Sequence, residues 1–389
     1  MIKRQIEKEI GLLISEFPII AILGPRQSGK TTLSQKVFVG YEYISFEDYD
    51  VKEFAENDPR GFLKRYSQNV IFDEIQRSPK IISYLQTHVD AVGENGKIVI
   101  TGSHNFLLME QISQSLAGRV GICKLLPFSH KEIASISPEL NQLIFNGFYP
   151  RIYDQKIRPQ VFYKNYIATY IEKDLRELKH ITNLDTFIRF MRVLAARTGQ
   201  ELKINSIADQ CSISHNTVKK WLSVLETSFI IHKVKPYHKN YNKRLVKSPK
   251  IYFTDTGLVC SLIGIKSSGE LDYHFMRGSI FETFVVDEIL KANYNNAEPF
   301  EMYFWRDNHK KEIDLIVDFG LKQYGVEIKS TSTIAERHFG GLNYWKKLSG
   351  ASWENLFIIY GGEQMMTRNG INVIPWKEIF NRTIQKEID

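Results

Sequence analysis

Cysteine is nearly absent from this 389-residue chain: Cys123, Cys211 and Cys260 stand far apart and form no CxxC pair. That spacing excludes a disulfide framework and a zinc ribbon, and it points to a reducing cytoplasm. Long apolar runs are missing too. The longest, such as FPIIAIL at 17–23, fall short of the roughly 20 apolar residues that a membrane-spanning helix needs. No apolar signal core opens the chain, and MIKRQIEKEIGLLI reads as a charged amphipathic helix. Compositional bias is also lacking, with 43% hydrophobic and 24% charged residues, so a folded protein of two or three domains is expected.

Acidic residues are lacking in one stretch. IHKVKPYHKNYNKRLVKSPK, residues 231–250, holds six Lys, one Arg and two His without a single Asp or Glu, in a chain whose net charge is +7. YEYISFEDYDVKEFAEND at 41–58 is strongly acidic by contrast. Such segregation favours a surface for a polyanion such as DNA, with a solvated basic loop as the plainer alternative.

What is present begins with FPIIAILGPRQSGKTTLSQKVF. An apolar strand leads into G-x-x-x-x-G-K-T, and a helix-forming segment follows. The cradle is Gly24, Pro25, Arg26, Gln27, Ser28, Gly29, Lys30, Thr31 and Thr32. Its glycines let consecutive backbone N–H groups face phosphates at the positive end of a helix. Lys30 is expected on the β- and γ-phosphates of ATP, and the Thr31 hydroxyl on Mg2+. NVIFDEIQRSP supplies a second apolar strand that ends in Asp73, for the metal shell, and Glu74, to orient and deprotonate the attacking water. The competing reading of the two acids is a helix cap. In GKIVITGSHNFL a third strand ends in Ser103 and Asn105, where a sensor of the γ-phosphate or merely a Gly-Ser turn is expected. Arg119 is a candidate for charge on the transition state, with a structural salt bridge as the alternative.

Taken together, GPRQSGKTTL, VIFDEIQ, ITGSHNFLL, LAGRVGICKLLPFSHKEI, GFYP and YIATYIEKDL occur in an order that resembles the prokaryotic AAA-type ATPases carrying a C-terminal domain of unknown function. The later segments PKIYFTDTGL, GSIFETFVVDEIL and YFWRDNHKKEIDLIVD…GVEIKS match that second domain. The resemblance spans about Phe17 to Ser330 and implies an ATPase core, a winged helix and a domain similar to the PD-(D/E)xK nucleases. Two departures stand out: NGFYP replaces a double glycine, and the nuclease-like hairpin opens EID rather than PD.

INSIADQCSISHNTVKKWLSVLETSFIIHKV has the rhythm of a helix-turn-helix with a wing strand behind it. Ser214 is placed to cap the second helix, Val218, Trp221, Leu222 and Leu225 to face inward, and His215, Asn216, Lys219 and Lys220 to face out. In a DNA-binding version that helix enters the major groove, while Lys239, Lys243, Arg244 and Lys247 of the basic stretch contact phosphates. Winged helices also dock proteins, and the pattern does not separate the two uses.

KEIDLIVDFGLKQYGVEIKS at 311–330 reads as a hairpin, on its own an edge hairpin with an ordinary salt bridge. The resemblance implies more: Glu282, from a preceding amphipathic helix, with Asp314 and Glu327 as metal ligands, and Lys329 as the residue that positions or activates water. The expected architecture is α/β: an AAA+-like P-loop NTPase parallel sheet (1–140), a helical lid or connector (141–180), a winged helix-turn-helix (181–255) and a restriction-endonuclease-like α/β domain (256–389). The expected function is Mg2+-dependent ATP hydrolysis controlling a nucleic-acid-engaging module in DNA processing or defence, with homo-oligomers allowed and no membrane. The alternatives are an ATP-switched DNA-binding regulator and a signalling ATPase whose non-cleaving C-terminal half docks protein.

Overall fold

The computed structural model describes residues 2–103, 112, 114–136, 139–177, 183–237, 247–296, 299–307, 309 and 311–379, with the backbone alone over 170–177. Two sheets organise it. The first takes β1 (Ile19–Gly24), β2 (Glu42–Ser45), β3 (Val70–Asp73), β4 (Ile98–Ser103) and β5 (Val120–Lys124) in the order β2-β3-β4-β1-β5. Every described pairing in it is parallel. A parallel sheet is covered on both faces, so its central strands must be apolar throughout, and every residue of β1 is buried. One face packs Ile19, Ala21, Leu23, Phe62, Phe72 and Leu85; the other packs Ile20, Ile22, Leu33, Ile71 and Val99.

Helices Leu140–Asn146, Pro150–Asp154 and Pro159–Glu177 then lead away from the sheet. Phe162 and Tyr166 are packed against Tyr149. In NGFYP the single glycine that remains is the one the backbone requires. Gly147 has φ +67°, and a Cβ there would lie 2.0 Å from the Tyr163 hydroxyl and 2.5 Å from Asp255 Oδ1.

The second sheet runs β13-β14-β12-β11-β10-β9-β7-β8-β6. Its strands are β6 (Gln200–Glu201), β7 (Ile231–Pro236), β8 (Lys250–Phe253), β9 (Glu301–Arg306), β10 (Glu312–Asp318), β11 (Gln323–Lys329), β12 (Leu356–Tyr360), β13 (Met366–Arg368) and β14 (Ile371–Pro375). Two expectations need correction. The hairpin of β10 and β11 is not an edge, because β9 flanks it on one side and β12 on the other. The helix Arg277–Tyr294 is not amphipathic, since Ile280, Phe281 and Thr283 to Lys291 are all buried. A helix covered on every face must pair its polar residues internally. The strand SFIIHKV, expected as a wing, is β7; it pairs antiparallel with β8 and parallel with β9, so the helix-turn-helix and the hairpin share one sheet.

Two buried imidazoles lie in this interior. The His130 ring lies tilted against Trp376 and the His232 ring stacks on Tyr252, and burial lowers their pKa values to about 4 and about 3. A histidine kept neutral by the fold contributes stability above its unfolded pKa of roughly 6.5, and that contribution is lost as pH falls toward the folded value. Between pH 7 and 5, the stability difference between wild type and His130→Asn is expected to shift toward the variant by about 2 kcal/mol, measured by denaturant titration.

Candidate functional site

The loop after β1 turns sharply because Gly24 has no room for a side chain: a Cβ there would stand 2.1 Å from the Leu125 carbonyl oxygen. Gln27 (φ 62°) and Gly29 (φ +95°) take left-handed backbone, and Gly29 caps the eight-residue helix Lys30–Val37. Lys30 is 5% exposed and folds back over the loop, its Nζ donating to the carbonyls of Gly24 at 3.1 Å and Pro25 at 2.9 Å. Ser28 is buried and its carbonyl points away to Arg4, while Gln27 and Thr32 are exposed and Arg26 half-buried at the rim. The loop is therefore an N–H-lined turn with one lysine held across it.

At the carboxyl end of β3, Thr31 Oγ1 lies 3.2 Å from both Asp73 oxygens. The Tyr43 hydroxyl donates to Asp73 Oδ2 at 2.6 Å, and Thr101 Oγ1 donates to Oδ1. A hydroxyl and a carboxylate brought into contact beside the loop lysine are hard oxygen donors that fit Mg2+. Burial first, and the Asp73 carboxylate second, push the Tyr43 phenol up, so it remains a donor across the physiological range. Glu74 follows in left-handed backbone (φ 55°), with its carboxylate bonded to Gln76 Nε2 and 3.4 Å from Ser103 Oγ. Ser103 in turn accepts from Gln76 at 3.1 Å. Glu74 and Ser103 thus meet at the strand ends, and the cap reading of the Asp-Glu pair does not describe them. Asn105 lies outside the described residues.

Arg119 is placed elsewhere. It precedes the amino end of β5, about 16 Å of strand away from the loop, with Nε and Nη2 on Asp90 at 2.6 and 2.8 Å. The salt-bridge alternative describes it, and within one chain it does not reach the phosphates. Sequence reasoning missed the arginine that does touch the loop. Arg4 donates to the carbonyls of Ser28 at 2.9 Å and Leu126 at 2.6 Å, pairs with Glu132 at 3.1 Å and lies over the Phe128 ring. Glu132 completes a capping box with Ser129, and the next residue's backbone, His130 N, donates to Glu288 at 2.7 Å on the long buried helix. Lys291 closes this line, 2.8 Å from Glu288 and over the Phe148 ring.

A second polar cluster occupies the C-terminal sheet. Asp314 accepts from the Ile328 N–H at 2.7 Å, and Lys329 reaches Asp314 at 3.3 Å and Glu327 at 2.7 Å. Glu282 belongs instead to Lys250 at 2.9 Å and Tyr252 at 2.7 Å. Burial first and Asp314 second raise the Glu327 carboxyl to about 8, while Lys329 opposes the shift. Each carboxylate expected to hold a metal, Glu282, Asp314 and Glu327, has a lysine ammonium against it, and among the described residues no three His, Cys, Asp or Glu side chains are grouped as a metal site. Lysine ammonium groups divide these carboxylates between them.

The helix-turn-helix residues are the helices Ile204–Cys211 and His215–Thr227, with Ser214 Oγ accepting from Thr217 N at 3.1 Å. Val218, Trp221, Leu222 and Leu225 are buried, and His215, Asn216, Lys219 and Lys220 are exposed. Lys247 is exposed beside a depression lined by Lys233, Lys235 and Tyr237. Lys239, Lys243 and Arg244 lie outside the described residues.

Comparison with known proteins places this geometry. An AAA domain model matches residues 16–134, and domains of unknown function match residues 137–269 (DUF8612) and 277–379 (DUF4143). An uncharacterized protein of Mycobacterium tuberculosis, Rv2008c, is 30% identical over 319 residues, 81% of this chain and 71% of that one. The chain belongs to this family of AAA-domain proteins. A further relative is the uncharacterized protein MJ1544 of Methanocaldococcus jannaschii, 24% identical over 80% of this chain and 75% of its own. A Walker-type ATPase of Pyrococcus abyssi superposes with a TM-score of 0.45 and 14% identity over 67% of this chain and 96% of that one. The domain model over residues 16–134 makes the N-terminal domain an AAA-type P-loop ATPase domain, and no helix among the described residues is long and apolar enough to cross a membrane.

Lys30→Ala is expected to abolish ATP binding in this family member, read by fluorescent-nucleotide titration; retained binding contradicts the loop assignment. Tyr43→Phe removes one hydrogen bond to Asp73 and is expected to lower turnover about three- to tenfold, measured by phosphate release.

Proposed function

We propose that this AAA-family chain hydrolyses ATP with Mg2+ and uses the bound nucleotide to change how its C-terminal half engages DNA, without cutting it. The observation that carries the reading is the hydrogen-bonded line from the phosphate loop through Arg4, Glu132 and the Ser129 cap to Glu288 on helix Arg277–Tyr294. The Ser28 carbonyl is one end of that line, so a nucleotide that reorders the loop acts on Arg4 directly.

Each residue has a role in this reading. Loop N–H groups and Lys30 hold the phosphates; Thr31 and Asp73 hold the metal, which offsets charge on the transferring phosphoryl group. Glu74 takes the proton of the attacking water, and Ser103 and Gln76 fix the direction of its carboxylate. Pro25, Arg26, Gln27, Ser28 and Thr32 line the cradle. On the C-terminal half, His215, Asn216, Lys219 and Lys220 form the exposed face of a capped second helix, the part of a winged helix-turn-helix that enters a major groove. Lys247 extends that positive surface, and Lys239, Lys243 and Arg244 continue it in the sequence. The lysine-paired carboxylates supply no metal for phosphodiester hydrolysis, which favours binding over cleavage.

Glu74→Gln is expected to retain ATP binding and to lose at least about a hundredfold in turnover, as for a general base. Duplex DNA binding is expected to change with ATP in the wild type and in Glu74→Gln alike. Lys219→Ala/Lys220→Ala is expected to reduce the slope of log affinity against log salt by about 2, measured by fluorescence anisotropy. An unchanged slope removes this helix from the DNA surface.

A further inference from the structure

Glu282, Asp314 and Glu327 lie near one another in the C-terminal half, and each of them is paired with a lysine. Lys250 enters from β8 and is 3% exposed. Its Nζ lies 2.9 Å from Glu282 Oε1 and 2.6 Å from Glu312 Oε1. The Tyr252 hydroxyl, two residues along the same strand and on the same face, donates to the same Glu282 oxygen at 2.7 Å. Gly199, at φ +75°, brings bare backbone against the Glu282 carboxylate: a Cβ there would lie 3.6 Å from its atoms. The other two carboxylates share Lys329, and the Ile328 N–H already occupies Asp314 Oδ2. Arg306 adds a third cation, 3.6 Å from Glu312 and 2.7 Å from Glu201.

A site for Mg2+ or Mn2+ needs several oxygens turned to one point with no positive charge between them. This cluster has two ammonium groups between its oxygens, one of them buried and held by two carboxylates. We propose that Lys250 is the resident cation of this cluster, standing in for a divalent metal, so that the C-terminal module is metal-independent while Lys250 is in place. The cluster is then an ion-paired joint that ties β8 to helix Arg277–Tyr294 and to β10. The inference concerns the lysine and not the ATPase site, and it stands whether or not the module binds DNA.

Mn2+ binding to the full chain without nucleotide, followed by electron paramagnetic resonance, tests it. Wild type and Asp314→Asn/Glu327→Gln are expected to bind the same number of Mn2+ ions. Lys250→Met keeps the volume and removes the charge; it is expected to gain one Mn2+ that the triple variant Lys250→Met/Asp314→Asn/Glu327→Gln lacks. The melting temperature of Lys250→Met is expected to rise on adding Mn2+, and that of wild type to stay unchanged. A wild-type Mn2+ ion lost in Asp314→Asn/Glu327→Gln overturns the proposal, as does a folded Lys250→Met that gains none. The comparison of wild type with Asp314→Asn/Glu327→Gln decides the matter even if Lys250→Met fails to fold.

Discussion

The guanidinium of Arg4 is the constraint on which the two halves of the molecule depend. It fills three hydrogen-bonding directions at once: the carbonyl of Ser28 in the phosphate loop, the carbonyl of Leu126 beyond β5, and the Glu132 carboxylate. Arginine suits this because its planar fork meets several acceptors without rotating, and its flat face rests on Phe128. Glu132 is thereby fixed to the Ser129 cap, and the adjacent N–H of His130 is delivered to Glu288. A buried carboxylate with one N–H and one lysine as partners cannot be moved cheaply, because breaking such a pair leaves an uncompensated charge and costs about 3–5 kcal/mol. The ATPase sheet and helix Arg277–Tyr294 are therefore joined by groups that lose most when they separate.

That helix is the second element on which the arrangement turns. Its central turns are buried on every side, so each polar residue on it has been assigned to a different neighbour. Glu282 faces Lys250 and Tyr252 of β8; Glu288 faces the ATPase domain; Asp287 stands 3.6 Å from His232 of β7. Burial keeps both members of this last pair neutral, raising Asp287 and lowering His232 to about 3. One helix thus reads contacts from the nucleotide domain, the helix-turn-helix strands and the hairpin. Displacing it by even part of a turn affects all three.

How much of this was legible in the sequence depends on whether the partners are neighbours along the chain. Gly24 to Thr31 form one contiguous stretch, and the chemistry of an N–H cradle leaves its mark there without help from the rest of the chain. Asp73 and Glu74 needed only an apolar strand before them. Helix His215–Thr227 was legible for the same reason: Ser214 caps locally, and Val218, Trp221, Leu222 and Leu225 repeat at helical spacing. Arg4, Tyr43, Thr101 and Lys250 escaped because each meets its partner across 28 to 128 residues. Lys250 was the most misleading. It closes a run of basic residues and reads as their last exposed member, although the strand alternation pairing it with Tyr252 was the available signal. Its charge belongs to the interior and not to the basic surface. The edge assignment of the hairpin failed because β9 pairs along one side and β12 along the other, and the hairpin's own residues carry no mark of either pairing.

The sharing of one sheet by β7, β8 and the hairpin has a consequence for how a nucleotide signal can travel. A winged helix hung on a flexible linker would respond to ATP only by changing its position relative to the rest. Here β8 carries Lys250 into the carboxylate cluster and β7 pairs with both β8 and β9. The exposed face of His215–Thr227 stands on this frame through Val218, Trp221 and Leu222, whose cluster also contains Tyr252, Phe253 and Phe284. Close-packed interiors transmit displacement rather than absorb it. In the proposed function, a shift of Glu288 driven from the loop by way of Arg4 would reach helix His215–Thr227 through packed side chains and a shared sheet. Direction is the one degree of freedom this frame leaves open, and the ammonium of Lys250, held between Glu282 of the long helix and Glu312 of β10, limits it by resisting their separation.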